Sequence, residues 1–122
     1  MCVTNYLGKH LTIDGVCGKA GREKLADFFL FYNLLKSLPK TIGMVAITPP
    51  FVMQYLDPPD LEWGLTGVIM ISTSHLTFHT FPERLMLHFD CFSCRPFDEK
   101  LVVKCLNDIF CFSELKVQVL DR

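Results

Sequence analysis

Residues 66–83 read TGVIMISTSHLTFHTFPE, and this stretch decides the fold. Residues 67–72 contain the apolar run VIMI, and residues 75–79 alternate polar and apolar side chains, as a half-buried strand does. Only Thr73 and Ser74 separate the two segments. The stretch therefore predicts two neighbouring strands of one sheet.

Elements on both sides of this stretch complete the predicted sheet. Apolar residues recur every three or four positions across residues 22–38, which predicts a helix closed by Pro39, and a second helix is expected at residues 98–112. Further strands are predicted at residues 7–16, 42–47, 84–93 and 116–120, with an edge segment at 51–56. This order predicts an α+β fold, in which two helices pack on one face of a largely antiparallel sheet. The other face would be free for a partner or a substrate.

Length and composition predict a single domain over residues 1–122 and an oligomer. Half of the 122 residues are hydrophobic, only 20% are charged, and eleven are Phe. A chain of this size has a large surface for its volume, so part of this apolar content must lie near the surface. An assembly that covers it, most simply a homodimer, is expected.

Charge and cysteine usage exclude several functions. The formal charge of −1 offers no basic patch for nucleic acid, and no apolar run approaches the roughly 20 residues that span a bilayer. We expect a cytoplasmic protein that binds neither nucleic acid nor membrane. Its six cysteines are then expected to be reduced thiols. Cys91 and Cys94 form one C-x-x-C without a second pair, so no metal site is predicted.

Residues 66–83, together with residues 89–94 (FDCFSC), resemble the self-processing segment of bacterial and archaeal S-adenosylmethionine decarboxylases. In that family a hydroxyl residue and a glycine lead an apolar strand into Ser-His-Leu-Thr, a second histidine and Pro-Glu, with a cysteine after the next strand. The likeness continues near the start of the chain in residues 7–11 (LGKHL). It extends element by element over nearly the whole sequence.

The resemblance implies a proenzyme that makes its own cofactor. Ser74 would attack the carbonyl of Thr73, and β-elimination of the resulting ester would leave residues 1–73 and a fragment of 74–122 that begins with a pyruvoyl group. The ketone of that group forms a Schiff base with the substrate and accepts the electrons released when carbon dioxide leaves. The implied substrate is S-adenosylmethionine, and the implied pathway is spermidine synthesis.

The same resemblance assigns roles to further residues. Thr66 stands where the family has a processing serine, and His79 where it has the histidine that assists the elimination. Cys94 stands where it has the acid that returns a proton to the decarboxylated carbon, a task that a thiol can perform near neutral pH. Glu83 follows the family's Pro-Glu and is expected to contact the substrate.

Each of these residues also has an ordinary alternative. Ser74 could be a turn serine, His79 a hydrogen-bonded histidine on a sheet face, Cys94 a buried apolar residue, Thr66 a β-branched strand residue and Glu83 a solvated carboxylate. Ser74 and His79 are five residues apart, so a continuous strand places them on opposite faces. A bend after Thr73 is therefore required to bring the two together.

Several positions depart from the family pattern. The residue before the processing serine is usually Glu in close family members and is Thr73 here; Thr66 replaces Ser, and Phe81 replaces Trp. The loop at residues 56–63 is longer than the family's, and Tyr55 and Trp63 are the candidates for an aromatic residue that stacks on adenine. These departures leave two alternatives: a decarboxylase of another amino acid, such as ornithine or arginine, and a non-catalytic homologue that binds a ligand or partner.

Overall fold

The computed structural model describes residues 8–122, which form one six-stranded antiparallel sheet with helices on one face. Leu7 and Cys2 lie outside the described residues. The strand order across the sheet is β2-β3-β4-β5-β1-β6. The strands are β1 (Lys9–Cys17), β2 (Phe51–Asp57), β3 (Glu62–Ile71), β4 (Ser74–Phe81), β5 (Met86–Ser93) and β6 (Phe112–Asp121). The predicted α+β fold is confirmed.

The stretch at residues 66–83 forms the central hairpin of this sheet. A two-residue turn at Ser72 and Thr73 joins β3 to β4, so that Ile71 lies opposite Ser74 and Thr66 lies opposite His79. A short 3-10 helix, Pro82–Arg84, then leads into β5 through Leu85, whose φ of 57° is left-handed. This turn lets β5 run back along β4, with Ser93 opposite Ser74.

Three helices lie between or after the strands: α1 (Arg22–Leu25), α2 (Phe28–Thr41) and α3 (Glu99–Phe110). The single helix predicted at residues 22–38 is broken, because the Asp27 side chain accepts a hydrogen bond from the Leu30 N–H at 3.1 Å and starts α2. The prediction that Pro39 closes this helix is wrong, because Pro39 lies in the last turn of α2. Proline lacks the N–H that would bond the Leu35 carbonyl, and the helix ends two residues later at Thr41.

The helices cover one face of the sheet and enclose the core. Phe31 of α2 stacks on Phe78 of β4 with ring centroids 4.3 Å apart, and Phe110 of α3 packs on the other side of Phe31 at 5.4 Å. Alternate residues of β5, Leu87, Phe89 and Cys91, are fully buried on this face. Each large apolar side chain buried in this way stabilises the fold by about 1.5–3 kcal/mol.

Two predictions around residues 42–57 were wrong or incomplete. Residues 42–47 do not form a strand; only Ala46 makes an isolated bridge, to Ile71. The positive φ of Gly43 turns the chain within this segment, and Pro49 and Pro50 follow it, so there is no room for a ladder. In contrast, the predicted edge segment is the complete edge strand β2, which pairs with β3 along its whole length.

The opposite face of the sheet, which we term the open face, carries no helix. It presents exposed apolar side chains at Phe51, Met53 and Met70 beside the histidines of the central strands. Within residues 8–122 no helix is long and apolar enough to cross a membrane.

Candidate active site

Ser74 begins β4 immediately after the two-residue turn, and its side chain points toward the helices rather than the open face. It is 7% exposed, and its Oγ donates a hydrogen bond to Ser93 Oγ at 2.6 Å. Ser93 lies directly opposite on β5, is fully buried, and also accepts a hydrogen bond from the Arg95 N–H at 2.9 Å. The candidate processing serine is therefore held in one orientation by its register partner.

The carbonyl of Thr73, which Ser74 must attack, is also held. It accepts a hydrogen bond from the backbone N–H of Cys94 at 3.2 Å. The Thr73–Ser74 peptide bond is thus fixed against the end of β5 on both sides, by Cys94 through its carbonyl and by Ser93 through the serine hydroxyl.

The two cysteines of the C-x-x-C motif have opposite surroundings. Cys94 follows β5 and is exposed, which excludes the alternative of a buried apolar residue. Cys91 lies within β5 and is completely buried, and that burial raises the pKa of its thiol to about 12. Of these two thiols, that of Cys94 is open to solvent beside the Thr73–Ser74 bond and that of Cys91 is not.

Thr66 and His79 form a second pair, on the open face. They are register partners on β3 and β4, and Thr66 Oγ1 is 2.7 Å from Nδ1 of His79. The pair separates two shallow hollows in this face. One, of about 250 Å³, is lined by Phe51, Met53 and Thr77; the other, of about 320 Å³, is lined by Tyr55, Asp57 and Phe81.

The structure does not bring Ser74 and His79 together within one chain. β4 is continuous from Ser74 to Phe81, so the bend required to turn both side chains to one face is not present. Ser74 lies on the helix-covered face and His79 on the open face. Five residues of strand separate them, or about 17 Å at 3.4 Å per residue.

Glu83 lies at the far end of β4 from Ser74, in the 3-10 helix after Phe81. Its carboxylate accepts a hydrogen bond from the Arg22 guanidinium, and this bond lowers the pKa of Glu83. Arg22 also stacks over Trp63, with its Cζ 5.8 Å from the ring centre. Of the two candidate aromatic residues, Trp63 belongs to this cluster, whereas Tyr55 lines the hollow beside His79.

Sequence reasoning missed two features of the site. One is Ser93, which precedes Cys94 and gave no motif of its own; only the pairing of β4 with β5 brings it opposite Ser74. The other is a pair beside His79, in which His88 Nδ1 lies 2.5 Å from Asp14 Oδ1 and His88 is the register partner of His79. Neither could be found without knowing the strand register.

The fold and these contacts together define a two-layer α+β sandwich whose central hairpin carries a held serine at its turn and a hydroxyl–histidine pair on its open face. This chain belongs to the S-adenosylmethionine decarboxylase family, because the sequence model of that family matches residues 9–122. The predicted membership of a decarboxylase family is confirmed.

Individual relatives agree with this assignment. An S-adenosylmethionine decarboxylase proenzyme of Clostridium botulinum strain Langeland is 28% identical over 118 residues, which are 96% of this chain and 95% of the relative. One of Thermotoga maritima is 33% identical over 88 residues, covering 72% of this chain and 62% of the relative. The crystal structure of the adenosylmethionine decarboxylase from Aquifex aeolicus superposes with a TM-score of 0.73 at 21% identity. This match covers 96% of this chain and 91% of that one, and it establishes the shared fold.

Proposed function

We propose that this chain is a proenzyme that cuts itself between Thr73 and Ser74 and then decarboxylates S-adenosylmethionine. The observation that carries the proposal is the pair of contacts on that peptide bond. Ser74 Oγ is fixed by Ser93, and the Thr73 carbonyl accepts a hydrogen bond from the Cys94 N–H. Family membership supplies the reaction to which these contacts are suited.

The first step is attack of Ser74 Oγ on the Thr73 carbonyl carbon, which converts the amide to an ester. Negative charge develops on the carbonyl oxygen as the new bond forms. The Cys94 N–H already donates to that oxygen at 3.2 Å, and such a bond strengthens as the charge grows. The backbone of Cys94 therefore favours the tetrahedral intermediate before its thiol has any role.

The second step, elimination of the ester, is assigned to His79 with Thr66. Because His79 and Ser74 point to opposite faces about 17 Å apart in one chain, we assign this step to His79 of a second copy. The open face, with its exposed Phe51, Met53 and Met70, offers an apolar surface for a homodimer. In such a dimer Thr66 and His79 of the second copy would lie on the open side of the first copy's Thr73–Ser74 bond. His79 would there remove the Cα proton of Ser74 as the Thr73 carboxylate leaves, without contacting the buried Ser74 side chain.

The pyruvoyl group formed from Ser74 supplies an electron sink for loss of carbon dioxide from an α-amino acid. Cys94 would then return a proton to the decarboxylated carbon. Its exposed side chain lies next to the Thr73–Ser74 bond, whereas Cys91 is buried three residues earlier and its raised pKa keeps it a thiol. These surroundings favour Cys94 over Cys91 as the acid.

Recognition of the substrate falls to residues at the other end of the hairpin. The Glu83 carboxylate is largely exposed beside Arg22, so it can accept hydrogen bonds from ribose hydroxyls. Tyr55 lines the hollow beside Thr66 and His79, and we assign it, rather than Trp63, to contact with the adenine ring. The decarboxylated product would serve as the aminopropyl donor for spermidine.

Intact mass under denaturing conditions tests the proposal. The wild-type chain should separate into residues 1–73 and 74–122, the second fragment without an amino-terminal amine, and processed protein should release carbon dioxide from S-adenosylmethionine. Ser74→Ala should stay at full length. A chain that remains intact after long incubation contradicts the proposal and favours a non-catalytic homologue. Cleavage followed by turnover of ornithine or arginine alone favours the other decarboxylase.

A further inference from the structure

Ser93 has a place at the cleavage point that neither the motif nor the family match assigns. We propose that Ser93 is the residue that accepts the hydroxyl proton of Ser74 when the chain cuts itself. The inference rests on the proposed self-cleavage and adds a residue to its first step. It concerns formation of the ester, before any cofactor exists.

The contact between the two serines is suited to proton transfer. Ser74 and Ser93 are register partners at the ends of β4 and β5, so the strand pairing itself holds their side chains face to face. Their Oγ atoms are 2.6 Å apart, at the short end of the range for O–H···O hydrogen bonds. Both side chains are buried, which keeps water from competing for the Ser74 proton.

The orientation of Ser93 is fixed independently of Ser74. The Arg95 N–H donates to Ser93 Oγ at 2.9 Å, which restricts the Ser93 side chain to a rotamer that points its oxygen at Ser74. Within residues 8–122, Ser93 is the only side chain that hydrogen-bonds to Ser74 Oγ. Ser93 is therefore already in position as the acceptor in the uncut chain.

The residues with assigned roles are poorly placed for this task. His79 of the same chain faces the other side of the sheet, about 17 Å along the strand. His79 of the second copy in the proposed dimer would approach from the open face, opposite to the buried Ser74 hydroxyl. Cys94 contacts the cleavage point through its backbone N–H, which donates to the Thr73 carbonyl and cannot accept a proton. Ser93 supplies the acceptor that these two residues do not.

The step balances with Ser93 unchanged. The bond from Ser74 Oγ to the Thr73 carbonyl carbon forms, and the bond from that carbon to the Ser74 nitrogen breaks. The proton that leaves Ser74 Oγ passes through the Ser93 hydroxyl to the released Ser74 nitrogen. The products are an ester and a free amine, and no oxidant or other reactant takes part.

A pair of nearly isosteric substitutions tests the role of the Ser93 hydroxyl. Ser93→Thr and Ser93→Val add the same bulk at a buried position, but only threonine keeps the hydroxyl. We expect Ser93→Thr to cut itself within a few-fold of the wild-type rate and Ser93→Val to be slower by roughly 100-fold, the smaller end of the effect of a proton-transfer group. If the added bulk unfolds both variants, Ser93→Ala, which is smaller than serine, should show the same slow cleavage in folded protein.

Hydroxylamine separates this role from a merely structural one, because it cleaves an ester and leaves an amide intact. His79→Ala, which is blocked after ester formation, should accumulate a chain that hydroxylamine cuts at residues 73–74. Ser93→Val and Ser93→Ala should stay resistant, since their ester does not form. Cleavage of Ser93→Val at the wild-type rate, or an ester trapped in it, would overturn the inference. A wild-type chain that never cuts itself would instead refute the proposed function.

Discussion

Thr66 and His79 face each other across the β3–β4 ladder with Oγ1 and Nδ1 2.7 Å apart, on the face of the sheet opposite to Ser74. The alternation of strand residues forces this separation, because Ser74 and His79 differ by an odd number of positions in a continuous strand. A protein that needs both groups on one peptide bond must bring them from two chains. The proposed homodimer would then contribute residues to the chemistry.

Complementation between two inactive variants tests this arrangement. Ser74→Ala keeps His79 but cannot be cut, whereas His79→Ala keeps Ser74 but lacks the group for elimination. Each alone should stay at full length. When the two are refolded together, mixed dimers should form, and the His79→Ala chain should be cut into residues 1–73 and 74–122 while the Ser74→Ala chain remains intact.

The matched control for this experiment is the double variant Ser74→Ala, His79→Ala, mixed in the same way with His79→Ala. It provides the same dimer surface but no histidine, so no chain should be cut. Sedimentation of the wild type should show a dimer at micromolar concentration. If His79→Ala is never cut in mixed dimers, or if the protein is a monomer that processes itself fully, the assignment of His79 to a second copy is wrong.

We expect the Thr66 hydroxyl to affect the rate of elimination by holding the His79 ring in one orientation. Thr66→Val keeps the shape of the side chain and removes the hydrogen bond to Nδ1, which frees the imidazole to turn. Loss of one hydrogen bond of about 1 kcal/mol predicts elimination slower by roughly 5- to 10-fold, with accumulation of a hydroxylamine-sensitive ester. Thr66→Ser should process at nearly the wild-type rate. Equal rates for the valine and serine variants would remove Thr66 from the mechanism.

The sequence predicted the β3–β4 hairpin, but it did not predict which side chains meet across the sheet. The strand predicted at residues 84–93 corresponds to β5, in which every second residue is buried because side chains alternate with a period of two. The break at Asp27 and the loss of a strand at 42–47 depend on a capping contact and on a turn at Gly43, which local periodicity does not report. The role of Ser93 depends on cross-strand register, which arises only when distant strands pair.

Glu83 and Arg22 provide a comparison that separates substrate binding from ion pairing. At neutral pH a glutamate with an ordinary pKa of about 4.3 is ionised with or without a partner. Arg22→Gln should therefore leave the KM for S-adenosylmethionine within a few-fold of the wild type, whereas Glu83→Gln should raise it roughly 10-fold by weakening the hydrogen bonds to the ribose. Equal KM values for Glu83→Gln and the wild type would show that this carboxylate does not touch the substrate.

The same ion pair predicts a small pH dependence of stability. Because the Arg22 hydrogen bond lowers the pKa of Glu83 in the folded chain, the pair stabilises the fold above the unfolded pKa, and this contribution is lost as the pH falls through the folded value. Both side chains are largely exposed, so salt should screen the effect. At low ionic strength, the midpoint temperature of thermal unfolding should fall less steeply between about pH 5 and 3 for Glu83→Gln than for the wild type. Identical slopes would contradict this coupling.

Cys94 can be separated from the cleavage reaction because the proposed mechanism uses its thiol only after the cofactor has formed. Cys94→Ala keeps the backbone N–H that donates to Thr73, so it should still cut itself. Its decarboxylation rate should fall by roughly 10²- to 10⁴-fold, the range expected when a general acid is removed.

Cys91→Ala is the matched control for Cys94→Ala. It removes a buried thiol, should cost about 1 kcal/mol of stability, and should turn over substrate like the wild type. Alkylation near pH 8 should modify Cys94 and spare Cys91, whose burial and pKa of about 12 keep it protonated. If processed Cys94→Ala decarboxylates as fast as the wild type, or if both cysteines must be removed before activity falls, Cys94 is not the catalytic acid.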